Sequence, residues 1–359
     1  MGANGMTERE PSSRVAEFLR EEGFYVFAVL LVAVPLAVQS LITVHALLTD
    51  RPLPLRTDHV EHRLKQETLE TQYAEQMKTL RERAPEKLRF PLAMRYLNYA
   101  LWIAGIVVLL AVALPDAIRR RGAILRPIAD PAWGLWDVLK LAACYAIGVA
   151  ILRWIFDTPF ANRMRMPQYW LSGLFGYVLL LGMMRTIVLI ERNGSPRQLG
   201  ARREGIGRAA LIGVLGFIGV MPLFHLMVEA QAGFFKDVPV QEALQALWYT
   251  KSPTVLALSV FTAVVGAPVA EEFLFRGMLQ PALQRWFNPW TGWVLTALFF
   301  GFAHGSPALI VPLFVLGLAL GYVHSRARSI VAPITLHALF NGLSLLSMFS
   351  YRYVHQQVT

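Results

Sequence analysis

The chain has 359 residues, of which 55% are hydrophobic and 16% are charged, and its formal net charge is +10. Apolar stretches recur along it, and roughly 20 apolar residues are what a helix needs to cross a bilayer. The basic residues collect in short loops beside these stretches, which indicates membrane topology and argues against nucleic-acid binding. The single cysteine, Cys144, excludes a disulfide framework within the chain and a cysteine-based metal site.

This pattern predicts an all-α polytopic membrane helix bundle of about eight or nine spans. We expect an N-terminal cytoplasmic segment (1–23), a set of N-terminal membrane helices (24–230) and a C-terminal membrane region (231–359). The predicted apolar segments are 24–48, 97–115, 138–156, 168–190, 209–230, 253–275, 291–304, 308–324 and 331–349. The seventh is short for a span and ends at Gly305-Ser306-Pro307, a helix stop.

Residues 57–83 predict a different element, an amphipathic helix outside the membrane core. Leu69, Tyr73, Met77 and Leu80 recur there at helical spacing among many charges. The helix either lies on the interface or pairs with another helix. Two interpretations of its role stay open: a solvated connector with one apolar stripe, or an element for substrate gating or partner binding.

The distribution of Lys and Arg predicts the orientation. Loops 116–132 and 191–208 carry four and five arginines, whereas loops 157–167 and 232–252 carry two basic residues each. The rule that basic loops stay inside therefore places the Arg-rich loops and the N-terminus in the cytoplasm. The segment 51–95, with ten Lys and Arg, would lie outside as a mild exception. We expect an integral protein of a bacterial cytoplasmic membrane.

The later apolar segments carry ionisable and amide side chains, which inside a membrane usually mark a functional site. Glu272 and Arg276 are four residues apart, so they share a helix face and can pair. Glu271 points about 100° away from Glu272, which leaves it free to act as a general base. Pro268 precedes Glu271 by three residues and cannot donate its backbone hydrogen bond, so a kink there would open room for water.

Two further apolar segments add the other candidate groups. His337 and Asn341 share a helix face and could supply the two donors that an oxyanion needs. His304, just before a helix break, could relay a proton or bind a metal. Taken together, these residues favour hydrolysis of an acyl bond, with a peptide as the preferred substrate. Each residue alone has a plainer interpretation: a hydrogen-bonded interior histidine, a structural Glu–Arg pair, or an asparagine that bridges helices.

Three ordered motifs resemble a known family. They are Glu271-Glu272-Phe-Leu-Phe-Arg276 (EExxxR), Phe300-Gly-Phe-Ala-His304 (FxxxH) and His337-Ala-Leu-Phe-Asn341 (HxxxN). Over about 253–349 the chain resembles the CPBP family, the CAAX proteases and bacteriocin-processing enzymes also called Abi. The resemblance implies that 231–359 is the catalytic core of an intramembrane endopeptidase, and that the helix bundle surrounds an intramembrane catalytic cavity. It implies that Glu271 and His304 activate water and that His337 and Asn341 hold the oxyanion. It also implies that Glu272 is essential and that Arg276 supports it.

The resemblance leaves the cofactor open. We favour a metal-free mechanism, because the chain has no HExxH pattern and asparagine is a poor zinc ligand. If zinc is used, Glu271, His304 and His337 are the candidate ligands. The expected partners are a membrane-associated peptide or protein substrate and the lipid bilayer, without nucleic acid. The alternative functions are a non-catalytic membrane scaffold or immunity protein, and a proton-coupled transporter.

Overall fold

The structure is a computed structural model that describes residues 66–119, 130–156, 168–231 and 247–358. All regular secondary structure in these ranges is helical. The predicted apolar segment 24–48 and the N-terminal segment 1–23 lie outside the described residues, as do positions 57–65 of the predicted amphipathic helix.

Nine helices make up the described part of the chain. They are α1 (Gln66–Arg83), α2 (Pro85–Asp116), α3 (Leu135–Phe156), α4 (Gln168–Arg185, extended by a π segment Thr186–Glu191), α5 (Ile206–Gln231), α6 (Pro253–Trp286), α7 (Pro289–Ala303), α8 (Pro307–Ala327) and α9 (Val331–Val358). Seven of them, α2 to α6 with α8 and α9, are long and apolar enough to cross a membrane. The prediction of a polytopic helical membrane protein is confirmed, and every predicted apolar segment within the described ranges is a helix.

Helix α6 carries the EExxxR motif, and it is not a uniform α-helix. Its α-helical piece Ala267–Glu272 lies between two π segments, Thr262–Gly266 and Phe273–Leu279. Pro268 and Pro281 each follow the end of a π segment by two residues, and Pro115 follows the π segment Leu109–Ala113 in the same way. Proline lacks an N–H and crowds the carbonyl one turn earlier, so the turn before it widens. The structure therefore has a π segment before Pro268, and the predicted opening for water stays a prediction.

Two apolar cores lie on either side of α6. The larger joins α5, α8 and α9, with Phe217, Leu316, Leu320 and Leu336 among its buried side chains. The smaller joins α3 and α4 to α6. There the indole of Trp133 donates to the carbonyl of Met278 at 3.1 Å. Helix α6 is therefore held from both sides, which fixes the direction in which its charged side chains point.

Small residues let α7 and α8 approach closely. A methyl group added at Gly301 would lie 2.7 Å from the carbonyl oxygen of Ile310, and one added at Gly317 would lie 2.9 Å from Cα of Ala297. Close backbone approach at glycine is a common way of packing membrane helices, because lipid provides no hydrophobic force to drive helices together. The end of α7, where His304 lies, is therefore set by backbone contact with α8.

The amphipathic segment pairs with another helix. Helix α1 packs on the C-terminal part of α9, where Leu80, Leu88 and Val354 form a small core. The hydroxyls of Tyr73 and Ser350 lie 3.3 Å apart. Of the two placements predicted for this segment, pairing with a helix is the one observed.

Three arginines beside helix ends lie at one end of the bundle. Arg192, after α4, binds Asp137 at the start of α3 at 2.7 Å. Arg285, at the end of α6, donates to the carbonyl of Pro131 at 3.0 Å. Arg326, at the end of α8, binds Asp116 at the end of α2 at 2.8 Å. Arg192, Arg285 and Arg326 therefore lie at the same end of the bundle, and the assignment of that end to the cytoplasm stays a prediction.

Candidate active site

Glu271 and His304 meet because α6 and α7 form an antiparallel hairpin with arms of equal length. Glu271 lies 16 residues before Phe287, and His304 lies 16 residues after Asn288. At 1.5 Å per residue, both are about 24 Å from the turn. The two side chains face each other, with Glu271 Oε2 and His304 Nε2 4.0 Å apart. Helix α7 has 15 residues, too few to cross a hydrocarbon core of about 30 Å. Its predicted shortness is what allows the pair to form.

The hydrogen bond of His304 to its own helix determines which ring nitrogen carries the hydrogen. Nδ1 lies 2.7 Å from the carbonyl oxygen of Phe300. Because a carbonyl only accepts, Nδ1 is the donor, and Nε2 of the neutral ring presents a lone pair. That lone pair faces Oε2 of Glu271, which is also an acceptor.

Oε2 is buried and has no hydrogen-bond partner among the described residues. Two facing acceptors 4.0 Å apart suit a donor between them, and one water about 2.8 Å from each would donate a hydrogen to both. The side chains of Glu271 and His304 are 20% and 24% exposed, although Oε2 itself is buried.

Glu272 lies in a separate, fully buried network. Its Oε1 accepts from Arg276 at 3.0 Å and from Nδ1 of His337 at 2.8 Å. Arg276 also donates to the carbonyl of Gly317 at 3.1 Å, and its guanidinium lies 4.6 Å from the ring centroid of Phe300. The predicted Glu272–Arg276 pair is confirmed. Opposite charges that are paired and hydrogen-bonded in this way offset much of the cost of burying them.

Phe300 joins the two parts of the site. Its ring lies edge-on to His304 at 4.8 Å, to His337 at 5.5 Å and to Phe275 at 5.3 Å between centroids. It is fully buried, and its carbonyl orients His304. The motif FxxxH marks the position, but the sequence alone predicted no role for this phenylalanine.

His337 and Asn341 contact α6 at different points. His337 is bound to Glu272, and Nδ2 of Asn341 donates to the carbonyl of Ala263 at 2.8 Å, in the first π segment. These bonds use one ring nitrogen of His337 and one of the two amide hydrogens of Asn341. The geometry joins His337 to Glu272 rather than to Glu271, and the oxyanion roles of both residues stay predictions.

A tyrosine that the sequence analysis did not select binds the candidate base. Tyr177, in the middle of α4, donates from its hydroxyl to Oε1 of Glu271 at 3.2 Å. It lies outside the three motifs. The available signal was general: a tyrosine hydroxyl within an apolar span usually finds a polar partner.

The three residues named as candidate zinc ligands are not grouped around one point. Glu271 and His304 face each other, but the third candidate, His337, binds Glu272 through Nδ1. Across the described ranges, no three His, Cys, Asp or Glu side chains are grouped so that they could hold a metal ion. Zinc takes four ligands, three of them from the protein in catalytic sites, and this donor set does not fit that requirement.

Comparisons with known proteins identify the family that the motif-bearing segment matches. Residues 253–343 match the model of the Rce1-like family, described as type II CAAX prenyl endopeptidase Rce1-like. The resemblance to the CAAX proteases is confirmed over this segment. All seven fixed residues of the three motifs lie within it.

Two relatives extend the comparison. An Escherichia coli protein named "Uncharacterized 24.3 kDa protein" is 29% identical over 154 residues, which cover 40% of this chain and 71% of the relative. A Bacillus subtilis (strain 168) protein named "Putative membrane peptidase YdiL" is 20% identical over 191 residues, which cover 52% of this chain and 78% of the relative. No solved structure matches the chain significantly.

Proposed function

We propose that this integral membrane protein is an intramembrane endopeptidase of the CAAX-protease type, whose nucleophile is a water held between Glu271 and His304. One observation carries the proposal. Two hydrogen-bond acceptors, a carboxylate oxygen and an imidazole nitrogen, face each other at 4.0 Å on partly exposed side chains. The Rce1-like family match and the name of the Bacillus subtilis relative support a peptidase.

The chemistry follows from the donors and acceptors of the site. Glu271 takes a proton from the water. The other hydrogen of the water donates a hydrogen bond to His304 Nε2, which orients the nucleophile. The hydroxide adds to the carbonyl carbon of the scissile peptide and forms a tetrahedral intermediate. The protonated Glu271 then delivers its proton to the leaving nitrogen, and the C–N bond breaks to give an acid and an amine.

The remaining motif residues act on the charge that develops on the carbonyl oxygen. We assign oxyanion stabilisation to Asn341 Nδ2 and His337 Nε2, since preorganised donors at this place lower the barrier. Because Nδ1 of His337 already donates to Glu272, donation from Nε2 requires the doubly protonated ring. Glu272 and Arg276 hold that ring in place.

The substrate class follows from the location of the site. Glu271 lies in the middle of a 34-residue span, so the scissile bond must enter the membrane region or lie close to it. We propose a membrane-associated peptide or protein as the substrate, cleaved in a bacterial cytoplasmic membrane. Three kinds of substrate would place a peptide bond there: a prenylated C-terminal CAAX sequence, a peptide precursor and a membrane-protein tail.

The test compares cells that carry the wild type or Glu271→Gln. The variant keeps the shape of the side chain and an oxygen for Tyr177, but it cannot take a proton. We expect cleavage products in the membrane fraction to fall by at least about a hundred-fold, because general-base catalysis contributes about that much or more. Mass spectrometry of new peptide termini is the measurement, and it also identifies the substrate.

The matched control is Glu204→Gln. This glutamate is exposed and pairs with Arg197 far from the site, so its variant should process substrate like the wild type. If Glu271→Gln is present at the wild-type level and gives the same termini, the protein is a scaffold or immunity protein. Flux that depends on a pH gradient and disappears in Glu271→Gln would instead establish a transporter.

A further inference from the structure

Tyr177 lies against the candidate base from outside the family-matched segment. It belongs to α4, whereas the family match covers residues 253–343. A methyl group added at Gly266 would lie 3.5 Å from Cδ2 of Tyr177, so the tyrosine ring rests directly on the first π segment of α6. Helix α4 therefore reaches α6 one turn before the glutamates.

The contacts of Glu271 divide between its two oxygens. Oε1 accepts from Tyr177 at 3.2 Å, and Oε2 faces His304 at 4.0 Å. Within the described residues, Tyr177 is the only group that donates a hydrogen bond to this carboxylate. The hydrogen bond holds Oε1 toward α4 and so leaves Oε2 as the oxygen that faces the imidazole.

The other polar and charged side chains of the site do not fix the orientation of Glu271. Glu272 and Arg276 bind each other, and His337 binds Glu272. Asn341 binds the backbone of α6 at Ala263. A glutamate has three side-chain torsions, and a base that moves by about 1 Å from the nucleophile loses up to about a hundred-fold in rate. Something must hold this carboxylate, and Tyr177 is the group in position to do so.

The geometry points to Tyr177 as a positioning residue for Glu271, which anchors Oε1 so that Oε2 and His304 Nε2 share the nucleophilic water. The inference deepens the proposed peptidase function and rests on it. Under this inference the N-terminal helices contribute to catalysis, because α4 orients the base.

The decisive variant is Tyr177→Phe, which keeps the ring on α6 and removes one hydroxyl. The comparison of wild-type and Glu271→Gln cells identifies the cleavage site. A synthetic peptide that spans this site serves as the substrate. We expect kcat to fall by about ten- to a hundred-fold, because the base is misplaced, with KM within about twofold, because the substrate contacts are kept. Steady-state kinetics of the full chain in detergent micelles measures both.

The matched control is Tyr322→Phe. Tyr322 also donates to a carboxylate, Asp116 at 3.0 Å, but at the arginine-rich end of the bundle. Both variants lose one tyrosine–carboxylate hydrogen bond, so we expect similar small decreases in melting temperature, with kcat lowered only in Tyr177→Phe. A purely structural Tyr177 would lower the melting temperature and leave kcat unchanged.

Each outcome separates this inference from the proposed function. If wild type and Glu271→Gln show the same peptide termini, the peptidase proposal fails and the role of Tyr177 fails with it. If the wild type cleaves and Tyr177→Phe keeps the wild-type kcat, the positioning role alone is overturned. A rise in KM with unchanged kcat would likewise overturn it, because that result assigns Tyr177 to substrate binding.

Discussion

At the scale of single residues, the buried Glu272–Arg276–His337 network is the feature most sensitive to change. Arg276 and Glu272 are fully buried, and Arg276 is the cationic partner of Glu272. Arg276→Met keeps most of the volume but leaves a buried carboxylate without that partner. We expect the free energy of unfolding to fall by about 3–5 kcal/mol, the usual cost of breaking a buried ion pair. Denaturant unfolding in micelles measures the change.

Two further variants make that prediction specific. Arg197→Ala breaks an ion pair whose side chains are 74% and 72% exposed, and it should leave stability within experimental error. Glu272→Gln combined with Arg276→Met removes both charges and should recover part of the loss, because no charge is then left buried alone. Equal stability of Arg276→Met and Arg197→Ala would contradict the assignment of this network.

The candidate site could be predicted from the sequence where local spacing decides the contact. The Glu272–Arg276 pair follows from the four-residue interval on one helix. The partners of His337, Asn341 and Tyr177 could not be predicted, because they depend on how separate helices are rotated about their axes. The family resemblance paired His337 with Asn341 at the oxyanion, yet in the structure its ring binds Glu272. The roles of the catalytic residues stay predictions until cleavage is measured.

At the scale of helices, the length of the α6–α7 hairpin decides which residues meet. The sequence contained this information, since the turn at Phe287 and Asn288 lies midway between Glu271 and His304. The π segments of α6 were harder to foresee. A π turn takes one more residue than an α turn, so positions on either side of it lose their common face. The prolines that follow these segments were the visible signal, and Pro268 was interpreted as a kink.

The α7–α8 contact supports a prediction at the same scale. Gly317→Ala places a methyl group 2.9 Å from Cα and 3.0 Å from the carbonyl oxygen of Ala297, so the backbones must separate. We expect a loss of about 1–3 kcal/mol, as for other overpacked cores, and lower activity, because α7 carries His304. Unfolding and cleavage assays on the same preparation measure both effects.

A second glycine provides the control for that contact. Gly182, on α4, has open space where a Cβ would lie. Gly182→Ala should leave activity unchanged and raise helix stability by up to about 1 kcal/mol, since alanine is the better helix former. If both glycine variants behave alike, close packing does not set the position of α7.

At the scale of the whole molecule, the two halves of the chain depend on each other. The matched segment 253–343 contains the three motifs, but α3 and α4 cover one side of α6 and α5 covers much of the other core. The positions of the apolar helices in the described ranges were predictable because apolar length determines them. The helix faces that contact each other were not predictable, because most of the surface of a membrane helix is apolar. The N-terminal half is therefore part of the site's framework, although it carries none of the motifs.

The orientation of this assembly gives the last prediction. The basic residues of the loop after α4 lie at one end of the bundle, whereas Lys251, just before α6, lies at the other. Positively charged short loops stay in the cytoplasm, so the loop with Arg203 should be inside and Lys251 outside. We would place single cysteines by Arg203→Cys and Lys251→Cys in a Cys144→Ala background, because both positions are exposed. A membrane-impermeant maleimide added to intact cells should label the Lys251→Cys protein, and should label the Arg203→Cys protein only after the cells are permeabilised. The reverse labelling pattern would invert the orientation and would place the end of the bundle that holds the α6–α7 turn outside the cell.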